Sequence, residues 1–104
     1  MTQAELLQRI KERLRELYGS RFRGLVLYGS VARGDSDDES DIDLLCLLEG
    51  PVDSREIGLI VDATYPIQLE YLDKMIHIMP VDIADYTAGS YPLCVEVKKE
   101  GVPV

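Results

Sequence analysis

The stretch from Leu25 to Leu48, LVLYGSVARGDSDDESDIDLLCLL, constrains the fold most, because it sets a glycine-serine step between two apolar runs and returns with Asp41-Ile42-Asp43. Gly24 to Tyr28 is short and apolar, the pattern of a buried strand. Gly29-Ser30 directly after it permits a tight turn in which backbone N–H groups and the Ser30 hydroxyl can face a phosphate. Val31-Ala32-Arg33 is expected to open a short helix that Gly34 ends, with Arg33 offering a forked donor to phosphate oxygens. Asp35 to Ser40 is almost wholly acidic and is expected to be an exposed connection. Asp41-Ile42-Asp43-Leu44 then alternates, with Ile42 and Leu44 inward and the two acids outward toward the Gly-Ser turn. Carboxylates at i and i+2 of a strand project from one face, so both can reach one divalent ion. Mg²⁺ favours a few carboxylate oxygens completed by substrate phosphates, and two such ions can activate an attacking oxygen and stabilise a leaving pyrophosphate. The arrangement suits phosphoryl or nucleotidyl transfer.

Gly29-Ser30-Val31-Ala32-Arg33-Gly34, followed after five residues by Ser40-Asp41-Ile42-Asp43-Leu44, resembles the motif of the minimal nucleotidyltransferases of the polymerase-beta-like superfamily. That resemblance implies Mg²⁺-dependent transfer of AMP from ATP to a hydroxyl, with two Mg²⁺ ions that Mn²⁺ can replace. It implies that Gly29, Ser30, Arg33 and Ser40 serve the nucleotide and that Asp41 and Asp43 hold metal. Small proteins of this kind are often antitoxins paired with a HEPN-domain toxin, and some modify a tyrosine of that partner. The resemblance also implies a third acid on the strand after the second helix. Residues 67–72, with Ile67, Leu69 and Tyr71 alternating against Gln68, Glu70 and Leu72, are expected to be that strand. Glu70 is the leading candidate for catalysis and metal binding, with Asp73 and Asp82 behind it.

The chain has 104 residues, 46% of them hydrophobic, which is enough for one domain over 1–104 with a modest core. An acceptor must therefore bind this domain or be a partner protein. Apolar runs long enough to span a membrane are absent, and MTQAELLQRIKERL is amphipathic and charged, so a cytoplasmic protein is expected. A net charge of −8 argues against non-specific nucleic-acid binding, which rests on Lys and Arg neutralising phosphates. The charge is uneven. Residues 1–33 carry seven of the 11 Lys and Arg against three acids, a surface that can help ATP enter or dock an acidic partner, although a solvated helix face is the plainer reading. Cys46 and Cys94 lack metal-ligand spacing and are expected to be reduced, packed thiols. His77 stands alone and reads as structural.

The remaining elements follow from local signals. Thr2 to Glu5 has capping-box spacing, and Leu6, Leu7, Ile10, Leu14, Leu17 and Tyr18 form one helical stripe that Gly19 stops. Asp53 to Glu56 caps a second helix carrying Ile57, Ile60 and Val61, expected to end before Pro66. Strands over 67–72 and 75–83 are expected to form an antiparallel pair, followed by a polar loop from Asp85 to Ser90. Pro92, Lys98-Lys99 and Gly101 frame a last helix. The expected fold is α+β, a small mixed sheet with helices packed on it, as in the nucleotidyltransferase fold. Two functions fit: an enzyme in which Glu70 completes the site, and a binding module that neutralises a partner by complex formation. The acceptor, whether a protein tyrosine, an aminoglycoside hydroxyl or an RNA end, is not encoded in a readable motif, nor is oligomeric state.

Overall fold

The structure, a computed structural model, describes residues 1–34 and 40–104; the acidic connection expected after Gly34 lies largely outside them. Helix α1 (Gln3–Tyr18) opens on the capping box, with the Thr2 side chain accepting from the Glu5 N–H, and closes at Gly19. A single 3₁₀ turn leads into β1 (Phe22–Tyr28). Helix α2 (Gly29–Arg33) follows at once and is capped by Gly34 in the left-handed conformation, as its sequence dictates. Strand β2 (Ile42–Leu48) returns antiparallel to β1, with Tyr28 opposite Asp43.

Helix α3 (Arg55–Glu70) runs through Pro66 rather than ending before it, so the strand expected over 67–72 is its last turn. A proline inside a helix leaves carbonyls of the preceding turn short of donors. Arg13 of α1 fastens this turn by donating its Nε–H to the Ala63 carbonyl at 3.1 Å, one residue beyond the carbonyl that Pro66 leaves without its donor. Burial of Ile60, Ile67 and Tyr71 beyond and before the proline holds the rest, each large apolar side chain contributing about 1.5–3 kcal/mol. The connection out of α3 is clamped by Gln68. Its Nε2 donates to the Tyr71 and Lys74 carbonyls, and its Oε1 accepts the Ile76 N–H at 2.8 Å.

That clamp delivers the chain into β3 (Ile76–Asp82), which pairs with β2 in parallel, not with a neighbouring hairpin strand. Helix α4 (Ile83–Ala88), capped by the Asp82 side chain, replaces much of the expected polar loop. Helix α5 (Pro92–Glu100) matches expectation, and β4 (Val102–Pro103) adds an unforeseen short strand beside β1. The mixed sheet has the order β3-β2-β1-β4. Its two faces are separately packed. Leu25, Leu27, Leu44, Cys46 and Leu48 meet α1 and α3 on one side, while Val26, Leu45 and Leu47 meet Cys94 and Val97 of α5 on the other. Cys46 is fully buried, and burial pushes its thiol up to about 12, the state of an inert packed cysteine. Among the described residues, no helix is long and apolar enough to cross a membrane.

Candidate active site

Strand alternation places Asp43 on the face of Leu45 and Leu47, away from α1 and α3. Asp41, two residues earlier, extends that direction beyond the first residue of β2. The same end of β1 hands over to α2, whose first residue comes very close. Gly29 has φ +78°, and a Cβ built on it would stand 2.6 Å from Asp43 Oδ2. Only glycine satisfies both the backbone and the contact. The Gly-Ser turn and the aspartate pair therefore share one place, as the sequence spacing requires. Tyr28, the N-cap of α2, supplies no side-chain acceptor to the helix's first N–H groups.

Electrostatics at this end is unbalanced. Burial pushes the Asp43 carboxyl above the usual range; His77 opposes that rise and the nearby Asp41 adds to it. Tyr28 is raised as well, first by burial and then by the Asp43 charge. Two carboxylates, one partly desolvated, make a site with negative charge to spare.

His77 is the residue that sequence reasoning set aside. It lies directly opposite Asp43 in the β2–β3 register, and its Nε2 stands 2.9 Å from Asp41 Oδ2. Its signal was the alternation Ile76-His77-Ile78-Met79, which turns His77 to the same face as Asp43 once that segment is the first strand after α3. The start of β3 is further tied to the aspartate segment: the Met75 carbonyl accepts the Ile42 N–H at 2.8 Å, and Lys74 Nζ reaches the Ser40 carbonyl at 3.2 Å.

The expected third acid is not brought to this point. Glu70 ends α3, on the layer that covers the opposite face, and pairs with Arg9 of α1 at 2.6 Å. Asp82 faces Leu48 in the register, five residues along from the Asp43–His77 pair or roughly 16 Å, where it caps α4. Asp73 belongs to the connection before β3 and is exposed. Among the described residues no group of three or more His, Cys, Asp or Glu side chains stands ready to hold a metal ion by itself. Of the residues expected to serve the nucleotide, Gly29 and Ser30 open α2 beside Asp43, and Ser40 leads into Asp41. Arg33, in the last turn of α2, is ion-paired with Glu100 of α5 at 3.2 Å.

Residues 7–99 match the family of the nucleotidyltransferase domain. Among curated proteins, “Putative protein adenylyltransferase MJ0141” of Methanocaldococcus jannaschii is 30% identical over 67 residues, which is 64% of this chain and 68% of that protein. Among solved structures, a toxin–antitoxin with AMP-PNP aligns at a TM-score of 0.66 with 17% identity, covering 98% of this chain and 72% of its own. An MNT antitoxin complexed with tri-AMPylated HEPN toxin from Shewanella oneidensis aligns at 0.63 with 19% identity, covering 98% and 71%. These two structures share the fold of this chain.

Proposed function

Because the chain belongs to the nucleotidyltransferase domain family, we propose that it moves AMP from ATP to a hydroxyl, that of a tyrosine on a HEPN-domain toxin partner, and so acts as an antitoxin. The observation that carries this reading is the contact of the Gly-Ser turn with the aspartate pair, where a glycine Cβ would meet Asp43 Oδ2 at 2.6 Å. In that space the triphosphate can lie on the Gly29 and Ser30 backbone with its phosphates turned toward Asp41 and Asp43.

The donor set fits a hard divalent cation. Two carboxylate side chains with negative charge to spare offer what Mg²⁺ takes alongside phosphate oxygens and water, and Asp41 and Asp43 are the residues that hold it. When bound, Mg²⁺ or Mn²⁺ supplies charge neutralisation for the phosphates and lowers the pKa of an attacking oxygen. The protein's own groups do the rest. Asp43, held close to the turn, fixes where the α-phosphate can sit, while Asp41 widens the acidic surface on its solvent side. The Ser30 hydroxyl and the first N–H groups of α2 orient phosphate oxygens. Arg33 must leave Glu100 to reach a phosphate, so its part in catalysis is the least prepared.

A protein acceptor is supported by exposed apolar side chains on α3 and on its exit toward β3. Tyr65, Leu69, Leu72 and Met75, along the outside of α3 and the approach to the free edge of β3, are each more than half exposed. Apolar groups left open side by side mark protein interfaces. A cytoplasmic setting, where ATP is at hand, goes with this reading. The second reading, a binding module with little turnover, draws on one observation: among the described residues, only two carboxylates converge.

The test is label transfer. With α-labelled ATP, Mg²⁺ or Mn²⁺, and the helical protein encoded beside it, label is expected on a partner tyrosine; with γ-labelled ATP none is expected. Tight complex formation without transfer under either metal selects the binding module, and transfer of the γ-phosphoryl group overturns the reading.

A further inference from the structure

The imidazole of His77 occupies a position that neither packing nor helix capping explains. Its side chain is 57% exposed and that of Asp41 45%, so their 2.9 Å contact lies open to solvent. An exposed pair of this kind contributes little to stability, on the order of 1 kcal/mol or less. Nevertheless the chain fixes it from several directions. Gln68 fastens the turn before β3, the Met75 carbonyl takes the Ile42 N–H, and Lys74 reaches Ser40, so the start of β3 is aligned against the aspartate segment. Parallel pairing then sets His77 level with Asp43. Residues level on adjacent strands stand about 4.8 Å apart and project to the same side. One imidazole nitrogen and two carboxylates thus look out on one face, at the end of the sheet where Gly29 admits the triphosphate.

Among the described residues, the other candidate acids do not compete for this place. Glu70 is engaged by Arg9 on the opposite layer, and Asp82 is spent on the cap of α4. In the hydrogen bond to the Asp41 carboxylate Nε2 donates; a cation taking the place of that proton would meet the Nε2 lone pair of the tautomer protonated on Nδ1.

Resting on the reading of Asp41 and Asp43 as metal ligands, we infer that His77 Nε2 is the third protein donor of that centre, and that the site consequently prefers a transition ion such as Mn²⁺ or Co²⁺ to Mg²⁺. The reason is chemical. Mg²⁺ takes oxygen ligands almost exclusively, whereas imidazole nitrogen raises affinity for first-row transition ions. Two carboxylates and one imidazole form a mixed set in which exchanging the nitrogen changes which metal is favoured, and not merely how tightly any metal binds.

Calorimetry of the whole protein with Co²⁺, Mn²⁺ and Mg²⁺, each with a non-hydrolysable ATP analogue, tests this without reference to turnover, and the visible absorption of Co²⁺ reports nitrogen coordination. Relative to the unmutated chain, His77→Ala is expected to lose about tenfold or more in Co²⁺ and Mn²⁺ affinity while Mg²⁺ changes little. His77→Asp is expected to reverse the preference toward Mg²⁺. His77→Gln retains an N–H for Asp41 but offers an amide oxygen in place of the imidazole nitrogen, so Co²⁺ and Mn²⁺ are expected to lose their advantage over Mg²⁺, and its circular dichroism shows whether β3 is still in place. Equal losses for all three metals in His77→Ala, restored by His77→Gln, would mean that His77 only positions Asp41, and the inference fails. Unchanged Co²⁺ affinity in His77→Ala with loss in Asp43→Asn also defeats it while sparing the proposed function. No metal binding by the unmutated chain overturns both.

Discussion

Two polar clusters sit at opposite ends of β1 and β2, and they are built on different principles. At the Phe22–Leu48 end, Arg21 and Glu56 form a balanced set. Arg21 donates to the Glu49 and Pro51 carbonyls and to Glu56 Oε1 at 2.9 Å, while Glu56 Oε2 accepts the Asp53 N–H. One positive charge meets one negative charge, and the buried carboxylate has both oxygens occupied. At the Tyr28–Asp43 end, two carboxylates face a single imidazole, and burial has already pushed one of them up. The first cluster is complete as it stands; among the described residues, the second carries surplus negative charge. Charge closure, more than exposure, separates a structural polar cluster from a functional one.

Substitution at Asp43 tests that contrast at its strongest point. Asp43→Asn is expected to reduce nucleotidyl transfer by about 10²–10⁴-fold, the scale of a lost positioned catalytic group. Its melting temperature should hold or rise slightly. The sign follows from the raised carboxyl: a folded-state pKa above the unfolded one means stability that is full below the unfolded value and is lost as pH rises through the folded value. At neutral pH the fold therefore bears the cost of an ionised Asp43, and the amide removes it. Thermal melts without metal across the acidic range should show the unmutated chain gaining on the Asn variant as Asp43 takes up its proton. A variant that melts well below the unmutated protein at neutral pH would make Asp43 a structural residue and erase the distinction between the two ends.

How much of this contrast could be read in the sequence depends on whether the deciding signals are local. The capping box at Thr2, the alternation around Ile42 and Leu44, the left-handed Gly34 and the frame of α5 are short-range devices, and each produced the element it predicts. Pro66 is also a short-range signal, and it misleads, because α3 is held across it by tertiary contacts: burial of Ile67 and the bond from Arg13, 50 residues away, to the Ala63 carbonyl. The helix end decides the rest: ending α3 before Pro66 lets residues 67–72 alternate as a strand, gives Glu70 a site role and leaves His77 without one. Gln68, whose amide closes the α3–β3 connection, contributes three hydrogen bonds that no spacing rule reveals. The Gly-Ser turn and Asp41-x-Asp43 were legible because a single hairpin-like unit, β1-α2-β2, carries both.

The balanced cluster has its own test, with a smaller effect of a different kind. Glu56→Ala leaves Arg21 with its carbonyl partners but deprives it of the buried carboxylate, and it strips the Asp53 N–H of its acceptor. Unmade bonds to a buried charged group cost about 1–3 kcal/mol, and the partial exposure of Arg21 favours the lower half of that range. For a domain of this size, the melting temperature is expected to fall by roughly 5–15 °C. Transfer per folded molecule, measured well below the transition, should be unaltered. A loss of transfer without a loss of stability would show that the two ends communicate and are not independent clusters.

The smallest effect is expected at Glu70, the acid that sequence alternation favours and that the fold carries to the other layer. Its partner is Arg9, and both side chains are about half exposed, 55% for Glu70 and 42% for Arg9. A solvated ion pair of this type contributes roughly 0–1 kcal/mol, since water screens the attraction and two long side chains lose freedom in making it. Glu70→Gln is therefore expected to shift the melting temperature by at most a few degrees and to leave both transfer rate and metal affinity within about twofold of the unmutated protein. The informative outcome is the comparison with Asp43→Asn under one assay. If Glu70→Gln loses transfer to a similar degree while its stability is intact, then the last turn of α3 must unwind or swing to the sheet end during turnover, and the assignment of the donor set to Asp41, Asp43 and His77 is wrong.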